Sequence, residues 1–279
     1  MNSKKTLIVS HAPFWHDGSG IPERSYHTIL AALPAACVGI AYYGIPALGV
    51  ICLAMSTAIL WELLLNYASK RPITVGDGNA ALIGLLLAMV LPASTPWWVV
   101  IIGTFLAIVI GMQIFGGIGA NPFNPVVLAV AILMISYNAH LDFDAGLVNF
   151  SLDFPSSIYP LAALKAFGPS AIERLNPVDL FMGRQVGGLG ATCGLALVIG
   201  GVYLILRGII RWEISVSFIA GIFVTAMLFN MVNPEQYASP VFHLLTGYTL
   251  IGAFFLATES SSSPVNFIPM LIYGALGGV

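Results

Sequence analysis

The sequence predicts an all-α fold, a polytopic membrane helix bundle of about nine transmembrane helices with broken or re-entrant segments among them. Three observations carry this. Hydrophobic residues fill 58% of the 279 positions and charged residues only 8%, too few charges to cover a water-soluble domain of this size. Apolar runs alternate with turn chemistry such as Gly44-Ile45-Pro46, Asn233-Pro234-Glu235 and Ser263-Pro264. Finally, the stretch Gly116 to Pro125 cannot be an ordinary helix, yet it lies where only membrane or protein interior is available.

Residues 1–27 include Lys4, Lys5, Glu23 and Arg24 and lack the apolar core of a signal peptide, so they read as an uncleaved cytoplasmic amino-terminal segment. Residues 28–279 read as one transmembrane domain. Its spans are expected near 28–44, 46–66, 78–92, 97–116, 125–138, 187–206, 213–231, 241–257 and 265–279. The fifth span is the informative one. From Val126 to Tyr137 a helix would cover about 18 Å, against roughly 30 Å of hydrocarbon. The glycine-asparagine loop before it is therefore expected to dip into the membrane, where free backbone groups must be buried by protein or line a cavity.

With the amino terminus cytoplasmic, Lys4, Lys5, Arg24, Lys70, Arg71, Arg207 and Arg211 lie inside, and Lys165, Arg174 and Arg184 outside. Seven against three obeys the positive-inside rule. The same threading places an outer loop at 139–183. It also puts the Asn121 loop and the Thr258–Pro264 loop on the cytoplasmic side, each after a span entering from outside. Such a likeness between halves points to a midplane site.

Asn121 and Asn124, each followed closely by proline, present neutral amides that both donate and accept, which suits a heterocycle with carbonyl and imino edges. The alternative is that they cap the next helix and stitch the loop to itself. Glu259 ends an apolar run and is expected to face the interior rather than lipid, or else to emerge into water. Glu62 and Glu213 lie near helix ends and are expected to be solvated. The Gly187–Gly194 stretch reads as close packing of helices on small residues, with Thr192 able to bond a neighbour or a ligand. Cys37, Cys52 and Cys193 read as small buried hydrophobes, with no metal site. No basic stripe suggests nucleic acid. The His positions do not suit a membrane haem, and no side chain is marked as a catalytic nucleophile or base.

These words also form a pattern. Gly116-Gly117-Ile118-Gly119-Ala120-Asn121-Pro122-Phe123-Asn124-Pro125, Asp77-Gly78-Asn79, Pro96-Trp97-Trp98 and Phe255-Leu256-Ala257-Thr258-Glu259 followed by Ser263-Pro264-Val265 resemble the family shared by the D-type membrane component of the Rnf complex and the B-type membrane component of the sodium-translocating NADH:quinone oxidoreductase. The likeness runs from about Ser10 to the end and favours the Rnf type. It implies a flavin-carrying (FMN or riboflavin) multi-pass component of a prokaryotic plasma (inner) membrane complex, passing electrons between sister subunits of a ferredoxin:NAD(+) oxidoreductase coupled to sodium or proton transport. Residues matching Asn121, Asn124 and Glu259 would lie near the ring, although family members usually carry Asp at the last. Relatives attach FMN to a Thr in a stretch that here reads Ser156-Ser157-Ile158-Tyr159-Pro160-Leu161, so Tyr159 argues against a covalent link, with Ser156 and Ser157 the nearest aliphatic hydroxyls. Relatives are also expected to continue by about one helix beyond Val279. Two other readings compete: a channel or secondary carrier for a small polar solute, and a redox-silent scaffold of such a complex.

Overall fold

The computed structural model describes residues 20–141, 143, 159–172 and 175–279, and these residues contain helices and turns but no strand. Helix α1 (Ile21–Tyr43) begins earlier than the expected 28, because Pro22 and Glu23 suit a first helical turn. Gly44, at φ +69°, makes the sharp bend into α2 (Ile45–Ala68). Helices α4 (Trp97–Phe105, continuing to Phe115) and α9 (Trp212–Val232) complete the four that, among the described residues, are long and apolar enough to cross a membrane.

The other apolar runs are shorter than spans. Helices α3 (Asn79–Val90), α5 (Pro125–Ser136), α8 (Gly194–Leu206) and α12 (Phe267–Gly278) have 12 or 13 residues, or about 18–20 Å. Between α5 and α8 in the chain lie two short helices, α6 (Pro160–Phe167) and α7 (Pro177–Phe181). The run expected at 241–257 is broken into α10 (Pro240–Leu245) and α11 (Thr249–Ile251), the latter running into a π-helical turn at Gly252–Leu256. The chain is thus a multi-pass bundle with discontinuous helices.

Helix α3 occupies the centre. It has no polar face, and residues 83–91 are buried in succession, as a helix apolar on every side must be. Gly84 lets α2 come close, since a Cβ there would lie 2.6 Å from the Ala54 carbonyl oxygen and 2.8 Å from Met55 Cα. A helix that stops inside protein leaves carbonyls without partners. Here Gly190 N–H donates to Met89 O (2.9 Å), the Tyr248 hydroxyl to Val90 O (2.9 Å) and Leu189 N–H to Leu91 O (3.0 Å).

This overturns the reading of the sixth run as a helix from 187. Gly187–Cys193 is irregular, residues 185–193 are all buried, and the helix starts only at Gly194. The glycines serve the approach of one backbone to another: a Cβ at Gly188 would lie 2.8 Å from Val90 O. Tyr43 and Gln185 tie the segment down. The Tyr43 hydroxyl accepts from Gly187 N–H (3.1 Å), and Gln185 Nε2 donates to the carbonyls of Leu180, Thr192 and Leu245.

The expected likeness between halves has a structural counterpart. Helix α4 passes into a π turn at Leu106–Ile110, as α11 does at Gly252–Leu256; each π turn leads to a polar loop and then a 12-residue helix. Small residues join α9 to α12, where a Cβ at Gly274 would lie 2.6 Å from Ile214 O. One minor expectation fails. Of the cysteines only Cys193 is buried, while Cys37 and Cys52 sit on outward faces, because α1 turns Ala31, Ala35 and Gly39 inward instead, and α2 turns Ala47, Ile51, Ala54 and Ala58 inward.

Candidate functional site

The two polar loops meet. Gly116, Gly117 and Gly119 take φ of +120°, +105° and +90°, which lets the first loop turn back on itself before α5. Asn124 caps α5, its Oδ1 accepting from Val126 N–H (2.9 Å) and Val127 N–H (3.1 Å). Its Nδ2 crosses to the other half and donates to Leu256 O (2.9 Å). Asn121, only 3% exposed, donates from Nδ2 to Phe123 O (3.0 Å) and to Glu259 Oε1 (3.0 Å). The second Glu259 oxygen accepts from the Ser262 hydroxyl. The cap expected as the alternative for Asn124 is therefore realised, and Glu259 is turned inward, half-buried.

Asn121, Asn124 and Glu259 line one cavity of about 140 Å³ that opens to the surface. Its walls are aliphatic and aromatic, from Leu82, Ile83 and Leu86 of α3 to Phe254 and Phe255 of the second π turn. The first turns of α1, α3 and α5 all reach it, each bringing a partial positive charge. Arg24 adds a full one at the rim, its Nη2 donating to Ile209 O (3.1 Å). Glu259 is the counter-charge. Apolar walls with a few convergent polar groups are what small-molecule sites are made of.

Two residues of this cavity escaped the sequence reading. Asn79, within the Asp77-Gly78-Asn79 motif, lines the cavity, and its Nδ2 has the Met112 sulfur as partner (3.3 Å), a weak acceptor. Arg24, which the sequence marks only as a positive-inside charge, lines it as well.

The remaining candidates lie elsewhere. Thr192 is buried in the irregular segment at the opposite end of α3, and Tyr159 stands at the head of α6; a Cβ on Gly187 would lie 2.9 Å from Thr192 Cγ2 and 3.6 Å from Tyr159 Cε2. The Tyr159 ring also packs against Phe143, with centroids 4.9 Å apart. Thus Thr192 and Tyr159 share a neighbourhood with each other and not with Asn121. Ser156 and Ser157 lie outside the described residues.

Glu62 and Glu213 are not solvated as expected but buried, at 0% and 7% exposure. The end of α2 is covered by the segment after it, whose Thr74 hydroxyl donates to Glu62 Oε1 (2.8 Å) while Asn66 Nδ2 donates to Thr74 Oγ1 (2.9 Å). The second oxygen of each carboxyl group has no partner among the described residues. Thr74→Val is expected to lower stability by about 1–3 kcal/mol, because it takes the hydroxyl donor from a buried carboxyl group; thermal unfolding of the purified chain checks this.

With this geometry in view, comparison with known proteins places the chain. It belongs to the NQR2, RnfD, RnfE family. The family's model matches residues 8–279. The chain is 35% identical over 269 residues to the D component of the Na(+)-translocating ferredoxin:NAD(+) oxidoreductase complex of Acetobacterium woodii, covering 96% of this chain and 81% of that one. It is 33% identical over 280 residues to the D component of the proton-translocating ferredoxin:NAD(+) oxidoreductase complex of Clostridium ljungdahlii, covering 98% and 84%. It is 31% identical over 305 residues to the D component of the ion-translocating oxidoreductase complex of Escherichia coli (strain K12), covering 97% and 87%. Similar identity to relatives named for different ions means that resemblance alone does not choose the ion.

Proposed function

We infer that this chain is the D-type membrane component of an ion-translocating ferredoxin:NAD(+) oxidoreductase complex, and that it holds a flavin non-covalently between its two polar loops. The observation that carries the reading is the contact of Asn121 with Glu259 across 138 residues of sequence, at the edge of a cavity with apolar walls. The residues present fit a flat ring with one polar edge. Bound there, a flavin would supply one- and two-electron chemistry, while the protein excludes water, positions the ring and tunes it through amides and helix ends. Sister subunits of the complex would be its electron partners, as the relatives' names imply.

Arg24 lines the cavity and Arg71 Nη1 donates to Gly116 O (3.4 Å), so basic residues gather at the cavity end of the bundle. By the positive-inside rule that end faces the cytoplasm of a prokaryotic plasma membrane. At the outer end, the packed phenol of Tyr159 supports a loop without phosphoester-linked FMN.

Purification of the complex in mild detergent is expected to give a yellow preparation. Acid should release all of its flavin to the supernatant and leave this chain's denatured band without fluorescence. A colourless preparation would defeat the reading; fluorescence kept on the band would make the link covalent. A solute carrier is the second reading, favoured by the discontinuous helices meeting around α3. Solute uptake by liposomes holding only this chain, with no flavin retained, would favour it.

A further inference from the structure

We propose that His27 is a proton-operated clasp between α1 and α8. Neutral, it accepts a hydrogen bond from Arg207 and ties the two helices; protonated, it releases Arg207 and turns to Glu23 on its own helix. The clasp works whatever the neighbouring cavity holds.

Arginine has N–H donors and no acceptor. Arg207 Nη2 lies 3.0 Å from His27 Nε2, so that nitrogen must present its lone pair. The ring is then neutral, and its one proton sits on Nδ1, from which it donates to the Tyr203 hydroxyl at 2.7 Å. Tyr203 and Arg207 stand four residues apart at the end of α8. Both ring nitrogens of an α1 residue are thus committed to α8, and the Tyr203 ring packs beside the imidazole with centroids 5.9 Å apart.

Glu23 is the third member, one turn before His27. Its Oε1 lies 3.7 Å from Arg207 Nη2 and 3.8 Å from His27 Nε2, within reach of either cation. A second proton on the ring turns Nε2 into a donor that faces a donor, and sets two positive charges against each other. The Glu23 carboxylate is then the acceptor at hand. Moving to it exchanges a tie between helices for a pair within one helix, four residues apart. The side chains of Glu23 and Arg207 are 47% and 50% exposed, so protons reach the ring from water.

Other charges near α1 are already engaged. Arg24 Nη2 donates to Ile209 O, and Asp77, in the turn Val75–Asp77 packed on α1, accepts from Asn79 N–H. Helix α3 has no titratable side chain, and α2 brings Glu62, held by Thr74, with Cys52 and Tyr67 on its exposed side. The first turns of α1 are also a wall of the cavity, through Ile21, Arg24, Ser25 and Thr28. Losing Arg207 leaves that wall tied to α8 and the turn after it by Tyr203 and by the Arg24 bond to Ile209 O. Acid therefore loosens it.

Nitrogen NMR of the whole purified chain, carrying isotope-labelled histidine, reads the clasp directly, the His27 signals being those lost in His27→Gln. In the neutral form the ring proton is expected on Nδ1. Hydrogen–deuterium exchange of residues 20–28 and 203–208, corrected for the pH dependence of exchange itself, is expected to quicken about two- to fivefold from about pH 8 to about pH 5.5, the range in which histidine side chains gain charge. His27→Gln, whose amide oxygen accepts from Arg207 at every pH, is expected to stay slow throughout. A neutral ring protonated on Nε2 would overturn the assignment of partners. Exchange that stays constant with pH in the unchanged protein would overturn the clasp, and the same quickening in His27→Gln would take the response away from His27.

Discussion

Gly39→Ala and Gly49→Ala, the same change on neighbouring helices, are expected to move stability in opposite directions, with the loss at Gly39 the larger effect. Gly49 sits on an exposed face of α2, where an added Cβ meets nothing within 4 Å. A methyl there should stabilise by up to about 1 kcal/mol, through the lower backbone entropy of alanine in a helix. At Gly39 the added carbon would collide with the Leu189 carbonyl oxygen and lie 2.8 Å from the carbonyl carbon. That obstacle is main chain, pinned by Leu189 N–H on Leu91 O and by Tyr43 on Gly187. It does not rotate away as a side chain would. The cost is expected at about 3 kcal/mol or more, the upper end of overpacking, which is a large share of a typical stability margin. Thermal unfolding of the two purified variants, with size-exclusion profiles to report assembly, checks the pair. A neutral result at Gly39 would mean that α1 does not press on the irregular segment.

Much of this bundle can be read from the chain because lipid makes few demands and makes them strictly. Apolar runs bounded by Gly and Pro gave the helices, and the short run after Pro125 showed that the preceding loop had to be sheltered by protein. What stayed hidden depends on partners distant in sequence. Gly187–Cys193 has the composition of a small-residue helix face, and only the unfilled carbonyls at the end of α3 explain why it is unwound there. Glu62 looked like a residue at a helix end near water, because the segment carrying Thr74 folds back over it and nothing local announces that. The two loops could be matched by position in each half. The direct bond from Asn121 to Glu259 could not, since no period or motif sets the distance between residues so far apart. The π turns before each loop leave no mark in apolar runs that would serve equally well as α-helix.

Asn124 yields the second large expected effect, and a series at this position separates its two structural duties. Asn124→Leu removes the cap from Val126 and Val127 and the donor to Leu256 O, so three backbone groups lose their partner together. A lost cap costs about 1 kcal/mol, up to 2, and each group left unpaired in a poorly solvated place adds roughly 1–3. A total loss of about 2–4 kcal/mol is expected, with the two loops released from each other. Asn124→Asp keeps the cap, because a carboxylate at a helix start accepts the same N–H groups and meets the helix dipole favourably. It forfeits the bond to Leu256 O and sets an acceptor against an acceptor. Unfolding temperatures should therefore run from the unchanged protein through Asn124→Asp to Asn124→Leu. The gap between the two variants measures the cap, and the gap between Asn124→Asp and the unchanged protein measures the tie between the halves. If Asn124→Asp matched the unchanged protein, the bond to Leu256 O would contribute nothing, and the loops would be held together by Asn121 and Glu259 alone.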